Sequence, residues 1–127
     1  MRAQIEQRWR EEKYAVLFYS QRHYNDIRNE LKNPQATMFQ LEQKISDAKA
    51  QPLTIGNMQN ACAHMWGYFK KYATNEEKQQ YLHLLNTITP QSQELLYFLA
   101  TLAHKYQVSY LQNSSILQLK SFGKNSR

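Results

Sequence analysis

Apolar and aromatic side chains recur along this chain at close to a helical period. From about Ala3 to Lys32 they fall at Ile5, Trp9, Val16, Tyr19, Ile27 and Leu31, which predicts one long first helix ended by Asn33-Pro34, since the residue before proline is steered away from αR. Thr37 to Lys49 reads as a second helix, with Phe39, Leu41, Ile45 and Ala48. Pro52 breaks the chain again, and Thr54 is placed to cap a central helix running to about Tyr72. Thr74-Asn-Glu-Glu77 has capping-box spacing and opens a helix carrying Tyr81, Leu82, Leu84, Leu85 and Ile88. Thr89-Pro90 reads as the start of the next helix, with proline in its first turn, through Leu95, Leu96, Leu99, Leu102 and Ala103. A short helix is expected around Tyr110 to Leu119. The fold class is therefore all-α, a compact bundle of five to six helices.

The central helix breaks the usual amphipathic rule. At helical spacing Asn57, Asn60, His64, Tyr68 and Lys71 share one face, while Met58, Ala61, Cys62, Met65, Phe69 and Tyr72 share the adjacent one. An ordinary surface helix sets flexible charges opposite its core stripe. Here the polar groups have fixed shape and end in the basic pair Lys70-Lys71. Gly67, read as mid-helix, costs roughly 1 kcal/mol relative to alanine, so a neighbouring helix or a ligand should approach it closely.

Composition narrows the function. With 127 residues the chain is long enough for one core, and three glycines and three prolines leave few turns for a strand-rich fold. Residues 1–120 are expected to form a single domain, with 121–127 a disordered basic tail holding one apolar residue. The net charge of +6 suits nucleic acid or an anionic membrane surface, and plain solubility equally. A single cysteine excludes an internal disulfide and any cysteine-built zinc or iron–sulfur site in one chain. No cofactor or metal is expected, because HxxxH and ExxH spacings are missing. There is no apolar run of eighteen residues and no secretory leader pattern, so a cytoplasmic location is the default.

The candidate chemistry lies on two helices. Lys13, Ser20 and Tyr24 share a face of the first, and if it turns toward the central helix they join Asn60, His64 and Tyr68 in one polar groove. The plainer reading makes Lys13 solvated, Ser20 a bend and Tyr24 a packing residue. His64 is the one central acid–base candidate, and equally a structural histidine satisfied by Asn60 and a tyrosine. Lys70 and Lys71 either complement the helix dipole or contact phosphate, with Tyr68 or Trp66 stacking on an unpaired base. Arg8-Trp9-Arg10 repeats this mixing of basic and aromatic groups, interrupted by Glu11-Glu12.

Several of these residues together resemble the YbgA-like bacterial family of unknown function. They are Lys13-Tyr14, Ser20-Gln21 and Tyr24, then Asn60-x3-His64-x2-Gly67-Tyr68-Phe69-Lys70, then Glu77-Lys78, Pro90 and Tyr110-Leu111-x3-Ser115-Ile116. Trp9 and Glu11 stand where the family often has a histidine and an arginine, and Asn113-Ser114 where it is often bulkier. The resemblance implies a domain found alone or fused behind a desulfidase that removes sulfur from thiolated uracil with an iron–sulfur cluster. In the fused proteins the YbgA-like part is thought to help hold transfer RNA. One cysteine cannot build that cluster, so a stand-alone desulfidase is not expected.

Three functions remain open. The first is an RNA-binding module, with transfer RNA as its expected partner and a desulfidase as a possible companion. Lys13, Lys70 and Lys71 would then meet phosphate, while Asn60, His64 and Tyr68 meet a nucleotide. The second is a cofactor-independent enzyme using His64 as acid–base, assisted by Ser20 or Tyr24. The third is a structural interaction bundle whose tyrosines form a homodimer face.

Overall fold

The computed structural model describes residues 2–119, and the expected tail at 121–127 lies outside them. Seven α-helices follow one another: α1 (Arg2–Tyr19), α2 (Gln21–Glu30), α3 (Met38–Lys49), α4 (Ile55–Trp66), α5 (Asn75–Asn86), α6 (Glu94–Lys105) and α7 (Ser109–Gln112). A 3-10 turn, Ser115–Leu117, closes the series. The all-α bundle is as expected from the periodicity, but with more and shorter pieces.

Four helix starts are set by a hydroxyl. Thr37, Thr54 and Thr74 sit in extended backbone and accept from the amide three residues on, which satisfies a donor that a helix start leaves free. Thr37–Gln40 and Thr74–Glu77 form full capping boxes. The fourth is Ser20, with φ −163° and ψ 109°, and it divides the expected first helix in two. Its Oγ accepts from the His23 amide at 3.1 Å. The reading of Ser20 as a bend is the one that matches.

Two other boundaries differ from expectation. The central helix ends at Trp66, because beyond it three amides bond three residues back: Tyr68 to Met65 at 3.1 Å, Phe69 to Trp66 at 2.8 Å, Tyr72 to Phe69 at 2.8 Å. Such turns are tighter than α and rotate side chains off the helical stripe. Phe69 drops into the core, whereas Tyr72, expected beside it, is 62% exposed. Gly67 is thus the exposed cap residue of α4, with φ −54°, rather than a mid-helix glycine. What an added Cβ would meet there is its own turn's His64 carbonyl, at 3.2 Å, so no neighbouring helix explains it. Pro90 does not open α6 either. The Ser92 hydroxyl bonds both the amide and the carbonyl of Thr89, each at 3.0 Å, holding a turn before the helix begins at Glu94.

α1 forms the wall between two cores. Its Tyr14, Leu17 and Phe18 enter the larger, with Met58, Ala61, Cys62 and Met65 of α4, Phe69, Leu95, Leu99 and Leu102 of α6, and Leu111 and Leu117. Its Ile5 and Val16 enter the smaller, with Ile27, Leu41, Ile45 and Ala48. Trp66 stacks flat on Tyr81, ring centres 4.3 Å apart, and joins α5 to the larger core.

The α5 cap is also the hub of a charge cluster. Glu77 accepts from the Thr74 amide at 2.9 Å, from Tyr106 Oη at 2.6 Å and from the Lys105 ammonium. Burial pushes its carboxyl up, but Lys105, Tyr106 and Thr74 outweigh this and hold it down at about 2. A carboxyl lowered by folding stabilises the native state above its unfolded value, and the benefit is lost as pH falls through the folded one. Stability should therefore drop between about pH 4.5 and about pH 2, and Glu77→Gln should flatten that limb in thermal melts run against pH.

Candidate functional site

Lys13 and Tyr14 leave α1 side by side, and the fold closes a ring of tyrosines over them. Tyr68 arrives from the turn after α4 and Tyr110 from α7. The Tyr14 and Tyr68 hydroxyls share a hydrogen bond of 3.0 Å, their rings meeting edge to face at 6.2 Å. Tyr110 lies 5.8 Å from Tyr68 and 6.3 Å from Tyr14, centre to centre. The Lys13 ammonium sits 5.4 Å from the Tyr14 ring centre and 5.3 Å from that of Tyr110, within cation–π range.

The electrostatics follow from this packing. Burial draws the Lys13 ammonium down, but the Tyr110 hydroxyl, with the phenols of Tyr24 and Tyr68 behind it, raises it above its usual range. Burial, and then the bond to Tyr68, pushes the Tyr14 phenol far above the ordinary tyrosine range, so it is neutral at physiological pH. Lys13 makes no ion pair among the described residues. Tyr24 extends the patch, with Trp9 at 5.6 Å on one side and the Arg28 guanidinium 5.7 Å from its ring centre.

The α4 amides reach the neighbouring break in the first helix. Asn57 donates to the Tyr19 carbonyl at 3.4 Å and accepts from the Gln21 amide at 3.3 Å, while Asn60 donates to Gln21 Oε1 at 2.6 Å. Asn57 thereby serves both a helix end and a helix start, which accounts for its place on a polar stripe. Ser20 Oγ also meets His23 Nδ1 at 2.7 Å. An open cleft of about 580 Å³ lies beside this joint, lined by Ser20, Gln21, Arg22, Asn25, Gln51 and Asn57, among others.

The expected groove is thus brought together in part. Lys13 and Tyr68 converge around Tyr14 and Tyr110, Tyr24 pairs with Trp9 and Arg28, and Asn60 is tied to α2 through Gln21. Ser20 is engaged in capping and lines the separate cleft. His64 is exposed and has no hydrogen-bonding partner among the described residues, so nothing there orients its ring. Lys70 and Lys71 are exposed on the turn beyond Tyr68, off the α-helical stripe that placed Lys71 in line with Asn60.

Three participants escaped the sequence reading of the site. Tyr14 is concealed because it looks like core, and Tyr110 because it is distant in sequence. His23 stands three residues after Ser20, the N3 position from which a side chain reaches back to a cap, and that spacing was the available signal. Among the described residues no three of His, Cys, Asp and Glu gather as a metal site. Cys62 is buried, which pushes its thiol up to about 12. No described helix is long and apolar enough to cross a membrane.

No curated protein and no solved structure matches the chain. A family model does match, over residues 13–120, a span that begins at the lysine of the tyrosine cluster and takes in every site residue named above except Trp9. The chain belongs to the family described as protein of unknown function (DUF1722).

Proposed function

We propose that this chain is an RNA-binding module, with transfer RNA as the class of RNA it takes. The observation that carries this reading is the cluster around Lys13: a cation without a carboxylate partner, held among the buried Tyr14 ring and the half-buried Tyr68 and Tyr110. Unpaired RNA is gripped by combining phosphate-directed cations with aromatic faces on which bases stack. Tyr24, between Trp9 and Arg28, offers a second aromatic and cationic pair. Arg22, Arg28, Lys70 and Lys71 are exposed and make no ion pair among the described residues. The net charge of +6 is compatible with the same partner. Placement within the YbgA-like group, and service to a desulfidase acting on thiouridine, belong to this proposal. They are supported by the Asn60-x3-His64-x2-Gly67-Tyr68-Phe69-Lys70 block.

The test is retention of bulk transfer RNA across a salt series. Binding should fall steeply with salt, and the double change of Lys70 and Lys71 to alanine should make the log–log slope shallower by roughly 1 per lysine. Failure of the purified chain to retain transfer RNA even at low salt would end this reading.

A further inference from the structure

The Lys13 cluster carries more hydrogen-bond donors than its own contacts use. An ammonium has three donors and no acceptor, and each phenol adds one donor. One side of the Lys13 ammonium faces the Tyr110 ring, 5.3 Å from its centre, and Tyr14 and Tyr68 use a single hydrogen between their two oxygens. The remaining ammonium hydrogens, the Tyr110 hydrogen and one hydrogen of the Tyr14–Tyr68 pair have no partner among the described residues. The Tyr24 hydroxyl makes no hydrogen bond there either. These donors reach solvent, where an anion can replace water on them, and the described carboxylates in ion pairs (Glu6, Glu12, Asp26, Glu42 and Glu77) are paired with other cations than Lys13.

We infer that this cluster is a phosphate-binding site, with the Lys13 ammonium supplying the charge and the Tyr68 and Tyr110 hydroxyls donating to phosphate oxygens. The donors come from three elements, α1, the turn after α4, and α7, and surround a compact point charge. That arrangement suits the spread oxygens of a phosphate, whereas a planar carboxylate is matched best by the flat fork of a guanidinium. The neutral Tyr14 phenol adds no repelling charge beneath the site. The inference rests on the RNA reading for its ligand and names the group that is gripped, whether in an RNA backbone or on a free nucleotide.

The test uses the full chain with Lys13→Gln, Tyr68→Phe and Tyr110→Phe, each checked for retained helix by circular dichroism. The probes are bulk transfer RNA, adenosine 5′-monophosphate and adenosine. Each phenylalanine keeps its ring and loses a hydroxyl, at Tyr68 together with its bond to Tyr14, so transfer RNA affinity should fall about tenfold, with the salt slope unchanged because no charge is removed. Lys13→Gln should weaken binding and also lower the slope by about 1. If the mononucleotide binds, adenosine should not. Transfer RNA bound without measurable mononucleotide assigns the site to backbone phosphate, and a bound mononucleotide extends it to free nucleotides. Wild-type affinity for transfer RNA in all three variants overturns the phosphate site and leaves the RNA reading standing. Mononucleotide binding that depends on Lys13 and Tyr68, without any retention of transfer RNA, ends the RNA reading and keeps the site. Binding of neither probe ends both.

Discussion

Phe69→Ala is expected to destabilise the fold by about 3–5 kcal/mol, the range for emptying a buried phenylalanine site. Phe69 is fully buried among the α4, α6 and α1 side chains of the larger core, with Trp66 at 6.3 Å and Tyr106 at 6.2 Å. Those rings are held from other elements, Trp66 by its stack on Tyr81 and Tyr106 by its bond to Glu77. They cannot collapse freely into the space, which places the cost toward the upper end of that range. Domains of this size have roughly 5–15 kcal/mol in total, so the variant should lose roughly 10–20 °C in Tm. Tyr72→Ala is the matching control. The two residues share a face in an unbroken α-helix, yet Tyr72 is exposed and keeps only a loose ring contact with Tyr106. Its loss should cost about 1 kcal/mol or less. Equal costs for the two would contradict the end of α4 at Trp66.

Glu12→Ala is expected to cost about 3 kcal/mol, near the lower end for removing one partner of a buried ion pair. The Glu12 side chain is 5% exposed and binds Arg8 at 2.9 Å, Lys49 at 2.7 Å and the Ser115 hydroxyl at 2.9 Å. One carboxylate thereby fastens α1 to α3 and to the closing 3-10 turn. Burial pushes its proton affinity up, and Lys49, Ser115 and Arg8 together bring it below the usual carboxylate range. The cost stays moderate because Arg8 and Lys49 are partly exposed and regain water when the carboxylate goes. Urea melts should show a lower midpoint with an unchanged slope. A midpoint shift of the size seen for an ordinary surface change, about 0.5 kcal/mol, would show that the three-way tie carries little of the stability.

Features written in neighbouring residues were legible from the sequence. Thr54 and the Thr74–Glu77 box announced two helix starts, and Pro34 and Pro52 the gaps between helices. The misplaced boundaries had both distant and local causes. Nothing near Ser20 forbids a continuing helix. The break there is held by Asn57 and Asn60, more than thirty residues away. Gly67 looked like a defect inside a helix because Tyr68 to Tyr72 keep a helical pattern of apolar positions, although the backbone has already changed to tighter turns. Thr89-Pro90 carried a genuine start signal, overridden by the Ser92 hydroxyl. In the candidate site, Lys13, Tyr24 and Tyr68 could be named from spacing on two helices. Tyr110 could not, since only the chain's return past α1 sets its ring over Lys13.

The placement of α1 between two cores governs how the molecule comes apart. Each core draws on different elements, and the smaller holds only six buried residues. Two such clusters sharing no helix would melt as separate steps. With Val16 and Leu17 adjacent on α1 and facing opposite clusters, loosening one core withdraws a wall from the other. Cooperativity therefore runs through α1, with Tyr24 of α2 packed against both clusters as well, and α1 substitutions should fail to add with those in either core.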